Sequence, residues 1–391
     1  MRREHGFSLI EVMVAMTVML AVTASVFTLM NPSQGSFATQ PEVADMQQRL
    51  RVGTDSLYKD LVMAGNGAYQ GANSGSLLYM FAPVMPFRQG SLADDPPGTF
   101  KSDTITLMYV PPTFAQTSLS TKSPSLNSVE IGVNPEAGCP AGDPLCGFKE
   151  GMVVLMYDDS GNFDVFTITN VQDNALHLQH NLDKLSYTEY AANTTKIVQA
   201  NYFEYFLKTD NVNGVYQLMF YDGSGSPDVP IVDNVVGLNF DYYADPQPPL
   251  IKGGAGIATN PWQTTYGPSP KNPGVNGFAA NENCVFAAGP TPTPKLPYLG
   301  GANSALVKLA AADLTDGPWC PNAASVNRFD ADLLRIRKIV VTLRVQAAAA
   351  SLRGPASALF SHAGTSRGGL KWVPDQEVKF TVSPRNLNLG R

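Results

Sequence analysis

The chain has 391 residues, 44% of them hydrophobic and 15% charged, which is too apolar and too weakly charged for a disordered polymer. Its formal net charge is −6 and the body of the chain holds no cluster of Lys and Arg, which argues against broad binding to a phosphate backbone. The 34 glycines and 30 prolines favour turns and strands over a helical bundle.

The chain opens MRREHG and continues FSLIEVMVAMTVMLAVTASVFTLM. From Phe7 to Met30 a helix would run roughly 36 Å, enough to cross a hydrocarbon core of about 30 Å. Arg2 and Arg3 precede it, so the positive-inside rule keeps the N-terminus cytoplasmic and puts everything after Met30 outside the cytoplasm. An ordinary secretory signal carries its cleavage site after the apolar run; here the small residue, Gly6, comes before it. Glu11 is the one charge between Phe7 and Met30. A carboxylate costs on the order of 2.5–3.5 kcal/mol at mid-bilayer, so it needs a partner and marks a functional position.

Gly6-Phe7-Ser8-Leu9-Ile10-Glu11 resembles the processing motif of type IV prepilins. The resemblance implies that a prepilin peptidase cuts between Gly6 and Phe7 and that Phe7 becomes N-methylated. It also implies that the apolar helix is retained, first as a membrane anchor and later as filament core. By the same resemblance, Glu11 would pair with the N-terminal amine of a neighbouring subunit and set register during assembly. Many major pilins carry a proline inside this helix; here the first is Pro32, past the apolar run.

Residues 31–41 (NPSQGSFATQP) are turn-rich and read as a break. A second helix is expected over about 42–64, where Val43, Met46, Leu50, Leu57, Leu61 and Ala64 recur at helical spacing. Asp45 with Arg49, and Asp55 with Lys59, form i,i+4 pairs on its polar side, and Gly65 and Gly67 stop it. The segment resembles the periplasmic half of the long pilin helix, as in PilW-type minor pilins and J-type minor pseudopilins of type II secretion. Beyond it the pattern turns to period two. Strands are expected over 103–110, over 152–158 and 163–170 as a hairpin, over 196–207 and 215–222 around an Asn213-Gly214 turn, and over 231–243. Their order resembles the body of PilW-like proteins over roughly residues 100–245. Residues 245–325, rich in Pro, Gly, Asn and Thr, read as a long irregular insertion. Strands return at 334–345 and 378–382, with a loop between them.

The four cysteines fall into two local groups, Cys139 with Cys146 and Cys284 with Cys320. An even count in loop-like sequence suggests two disulfides and an oxidising compartment. The competing reading, a metal site or free thiols, lacks CxxC spacing. Gly364-Thr365-Ser366-Arg367-Gly368 matches G-x-S-x-G, but no helix pattern follows it and no His lies beyond His362. His177 and His180, three apart on a strand, point to opposite faces. Asp158 to Asp164 has the oxygens of a calcium loop without its order or distal Glu, and reads as a hairpin turn.

The fold expected is α+β and pilin-like: a long N-terminal helix packed on antiparallel β-sheet, with an enlarged β-rich head and a long loop insertion. The division expected is a leader over 1–6, an assembly helix over 7–30, a linker and periplasmic helix over 31–66, and a head over 67–391. The role expected is that of a minor pilin, with a minor pseudopilin or a tip-borne binding subunit as alternatives; in the last, residues 246–320 would form the contact loop. Neither an enzyme, a cofactor, a metal nor a nucleic-acid partner is expected. The partners implied by the resemblance are the prepilin peptidase, the inner membrane, and other minor and major pilins through the N-terminal helix. Localisation would be inner membrane before assembly, then periplasm and a cell-surface pilus.

Overall fold

The computed structural model describes residues 8–67, 76–89, 94–113, 115–121, 130–158, 161–179, 190–224, 226–249, 282–287, 293–300 and 305–388, without the side chains of 31–36 and 370. The chain divides into two compact units, Met1–Arg51 with Arg344–Glu377, and Val52–Leu343 with Val378–Arg391. The fold class is α+β, an N-terminal apolar helix followed by a large antiparallel β-rich body.

Helix α1 spans Leu9–Met63, 55 residues without interruption. The break expected at 31–41 does not form. A proline inside a helix forfeits one hydrogen bond and costs about 3 kcal/mol. Strong helical segments on both sides outweigh that, because the cost of nucleation is met once for the whole element. Gly65, at φ +80°, ends it, and its N–H donates to the Met108 carbonyl at 2.9 Å.

In the first unit, residues 344–377 accompany residues 9–51 of α1. The Ala348 N–H donates to Glu42 Oε1 at 2.6 Å, and Arg49 pairs with Asp45, the expected i,i+4 partner, and with Glu42 at 3.7 Å. Phe360 meets Trp372 edge-on, and Arg344 pairs with Asp375 at 3.1 Å.

The second unit is best followed along the chain. Strands β1 (Val84–Met85) and β2 (Thr104–Tyr109) pair antiparallel. A separate sheet comes next: β3 (Gln116–Ser118), β4 (Glu130–Gly132), β5 (Val153–Tyr157), β6 (Phe163–Gln172), β7 (Ala175–Gln179) and β8 (Lys196–Gln199). Its order is β3-β8-β5-β6-β7-β4, and the two ends meet. Leu119 bridges Val133, the Ser120 N–H donates to the Gly132 carbonyl, and the Asn134 N–H donates to the Ser118 carbonyl, both at 2.9 Å. The six strands therefore close into a barrel, which leaves no open edge. Inward side chains fill it, among them Leu119, Ile131, Val154, Met156, Ile168, Leu176 and Ile197. A bulge between Ile168 and Asn170 bends β6 where the barrel curves.

The chain then resumes the first sheet with β9 (Asn201–Asp210), β10 (Val215–Tyr221) and β11 (Val229–Asp233), giving the order β1-β2-β9-β10-β11. Since β2 and β9 are direct neighbours, from Thr104 opposite Phe206 to Tyr109 opposite Asn201, the barrel is an insertion between two adjacent strands. Strand β12 (Val235–Ala244) follows; the expected single strand over 231–243 is split at Asn234, whose φ of +59° turns the chain into another sheet. Likewise the expected strand over 196–207 is split at Ala200, one part in the barrel and the other in the five-stranded sheet. Two short ladders, β13 (Phe286–Ala287) with β14 (Thr293–Pro294) and β16 (Trp319–Cys320) with β17 (Phe329–Asp330), flank β15 (Val307–Lys308). The last sheet has the order β15-β12-β18-β19, with β18 at Ile336–Val345 and β19 at Gln376–Val382. As expected from period two, Ile339, Val341, Leu343 and Val345 are wholly buried.

Residues 52–63 of α1 pack on the sheets within this unit. Leu57, Leu61 and Ala64 are wholly buried, as their spacing predicts. Gly53 lets the helix backbone approach closely: a Cβ there would lie 2.7 Å from Leu343 Cδ2, with Val232 and Leu218 just beyond.

The N-terminal segment and the buried polar clusters of the head

Leu9–Met30 is a 22-residue apolar stretch, none of it buried, and its large side chains are 47% to 80% exposed. Its polar side chains are satisfied within the helix. Thr17 donates to the Met13 and Val14 carbonyls, Thr23 to Met19, Ser25 to Ala21 and Thr28 to Ser25, at 2.7–3.1 Å. Such back-bonding removes the need for water and suits the stretch to an apolar medium. Glu11 is left as its one charge. The Ser8 N–H donates to Glu11 Oε2 at 2.9 Å and the Glu11 N–H donates to Ser8 Oγ at 3.3 Å. This reciprocal capping box satisfies two N–H groups at the helix start and, among the described residues, leaves Glu11 Oε1 without a donor. Ser8-x-x-Glu11 is a capping-box signature readable in the sequence. Gly6 and Phe7 lie outside the described residues.

Residues 1–27 match the family model for the prokaryotic N-terminal methylation motif. The match supports a prepilin-type protein, of the pilin-like and pseudopilin group, in which the apolar helix fits inner-membrane anchoring. That group implies the prepilin peptidase and other pilins as partners and is typically structural rather than enzymatic. No curated protein and no solved structure matched the chain.

Within the head the chemistry-bearing groups hold the fold. Cys139 is bonded to Cys146, and Cys284 to Cys320. Asp60, on the apolar stripe of α1 and 5% exposed, accepts from Tyr109 Oη at 2.9 Å and from Tyr205 Oη at 2.5 Å. Burial, with Asp60 beside them, pushes both phenols above their ordinary range. A carboxylate between Leu57 and Leu61 was the readable sign of this contact. Arg88 donates to Glu204 Oε2 at 3.2 Å and to Asp228 at 3.0 Å, and stacks on Phe206. Burial still lifts Glu204 to about 7, against the pull of Arg88.

Asp316, Asp330 and Asp332 bring carboxylate oxygens within 4.8 Å of one another. Asp330 is committed to backbone: it accepts from Asp332 N–H at 2.9 Å, capping the 3-10 turn Ala331–Arg335, and from Gly317 N–H at 2.6 Å. Asp332 faces the fully buried Arg335 at 3.1 Å, a pairing of charge without hydrogen-bond alignment. Burial raises the two carboxyls to about 6 and about 7. Arg335 is the positive charge of this cluster.

The sequence motifs set aside as chemistry find structural places. Gly364 passes under another segment, where a Cβ would lie 2.1 Å from the Arg353 carbonyl oxygen. Ser366 follows it in an irregular stretch, with Oγ 3.5 Å from the Gly368 carbonyl. Asp158 accepts from the Asn162 N–H and side chain, closing the β5–β6 turn. His177 is on β7 opposite Glu130; His180 lies outside the described residues.

Proposed function

We propose that the chain is a minor pilin, PilW-like, that helps initiate or cap a type IV pilus after cleavage between Gly6 and Phe7. The observation that carries this reading is the methylation-motif match over residues 1–27, running into a wholly exposed apolar helix with one carboxylate. Each large apolar side chain left in water forgoes about 1.5–3 kcal/mol, so the stretch demands an apolar surrounding. In this reading the inner membrane supplies it before assembly, with the head in the periplasm, and the helices of other minor and major pilins supply it in the filament. Phe7 becomes N-methylated, and the amine of a neighbouring subunit takes the open Oε1 of Glu11. The role is structural, not catalytic. The size of the head favours a tip or initiation position, because a bulky domain crowds a tight helical shaft.

The test is Gly6→Val in the native host. Immunoblots should show the uncleaved chain, and surface pili should be lost or sharply reduced. A chain that still runs at mature size in cells that still make pili overturns the reading. Deletion that abolishes protein export and spares pili replaces it with the minor-pseudopilin reading.

A further inference from the structure

We propose that the Cys139–Cys146 cystine is a thiol-exchange site, and that its reduction releases a lid from one end of the barrel. The lid follows from topology. In the closed ring β3-β8-β5-β6-β7-β4, strands β4 and β5 stand three places apart and so face each other across the barrel. The chain between them must cross a barrel end, and on the way it drops Leu145 and Phe148 into the core, at 1% and 4% exposure.

Three fastenings hold the middle of this crossing. Glu136 accepts from the Gln116 N–H at β3 and from the Gly147 N–H, both at 2.8 Å. The Glu136 N–H donates to the Pro144 carbonyl at 2.8 Å. The cystine closes the tip, where Cys146 is exposed and Cys139 half-buried. The second cystine is the opposite case, with Cys284 and Cys320 both wholly buried. Thiol–disulfide exchange needs approach to a sulfur, which a cystine with an exposed residue offers and one with both residues wholly buried does not.

The step is ordinary exchange with a dithiol reductant. Its thiolate attacks Cys146 Sγ, the cystine bond breaks, and the electron pair goes to Cys139 Sγ, which takes up a proton. The reductant's second thiol resolves the mixed disulfide, leaving Cys146 as a thiol and the reductant as its own disulfide. Reduction removes one of the three fastenings. The Glu136 contacts remain, so the crossing loosens while the barrel strands keep their pairing. The inference does not depend on the pilin reading, since it rests on the barrel strands, the crossing between β4 and β5, and the exposure of the two cystines.

The test uses the full chain in detergent micelles and graded dithiothreitol, with pulse alkylation read by mass spectrometry. Cys139 and Cys146 should label at a reductant concentration about tenfold or more below that required for Cys284 and Cys320. Amide hydrogen exchange over 135–148 should rise on reduction while β5 and β6 stay protected. The double variant Cys139→Ser with Cys146→Ser should show the same exchange pattern without reductant. Equal labelling of the two pairs, or earlier labelling of Cys284 and Cys320, overturns the exchange site. Unchanged protection over 135–148, on reduction and in the double variant, overturns the lid.

Discussion

At the scale of single residues, two carboxylates explain most of what is specific here. Glu11 is both the charge of the apolar stretch and one half of a capping box with Ser8. The two roles separate by substitution. Ser8→Ala removes the hydroxyl cap and should weaken the helix start by about 1 kcal/mol, leaving the carboxylate in place, so filament yield should fall only modestly. Glu11→Ala removes the carboxylate itself, and assembly should be lost with cleavage intact; filament yield and mature size on immunoblots read both variants. Equal yields from the two would show that the carboxylate has no role beyond capping. Asp60 is the second case. Asp60→Ala removes the carboxylate acceptor from two buried phenols and leaves Tyr205 Oη with the Ser56 carbonyl at 3.4 Å; each buried bond lost costs about 1–3 kcal/mol. The head should lose about 2–4 kcal/mol in chemical denaturation, and adding Tyr205→Phe to the alanine variant should recover part of it. If the tyrosine change adds its own full cost instead, the two groups are not coupled.

At the scale of elements, period-two and helical spacing placed the two halves of α1, though not their continuity, and the β5–β6 and β9–β10 hairpins and β18 close to where they lie. The misses share a cause. Short β3 and β4, three residues each, carry too little pattern to be read. Continuous strand-like runs at 196–207 and 231–243 hide the residues, Ala200 and Asn234, where the chain changes sheets. Periodicity reports which face is buried, not which strand is the neighbour. Gly53 shows the converse. In sequence it is a weak point in a helix, whereas in the fold it is the place where α1 approaches β18. Gly53→Val should therefore destabilise the head by about 1–3 kcal/mol through overpacking, visible as a lower midpoint in urea. An unchanged midpoint would mean that Leu343 repacks without cost.

At the scale of the whole molecule, three buried carboxyls in the second unit titrate together near neutrality. Glu204, Asp330 and Asp332 are lifted by burial from 4.5, 3.8 and 3.8 to about 7, about 6 and about 7. A raised folded pKa means that the folded state holds the proton more tightly. The stability so contributed is full below pH about 4 and is lost as pH rises through about 6–7. Asp241, held low by Lys308 and Asn239 against burial, works in the opposite sense, but its window lies below 3.8. In the first unit, burial and Arg353 hold His362 below its usual range; its contribution is lost as pH falls through that lowered pKa. The head should therefore melt about 3–6 °C higher at pH 5.5 than at pH 7.5, as followed by circular dichroism. Glu204→Gln should flatten that dependence. A head that melts lower at pH 5.5 refutes the assignment.

The sequence alone determined the local matters: the methylation-motif match over residues 1–27, an apolar run with one charge, an amphipathic continuation, and alternating strands rich in turns. Each depends on residues a few positions apart, where spacing and side-chain chemistry act directly. Only the tertiary structure decided that α1 runs unbroken through the prolines, that strands β3 to β8 close into an inserted barrel, and that Asp60, Glu204 and Asp332 are buried. Those outcomes depend on partners up to hundreds of residues away. Competition among long-range pairings and the cost of desolvating charge decide them, and neither is written in any short stretch of the chain.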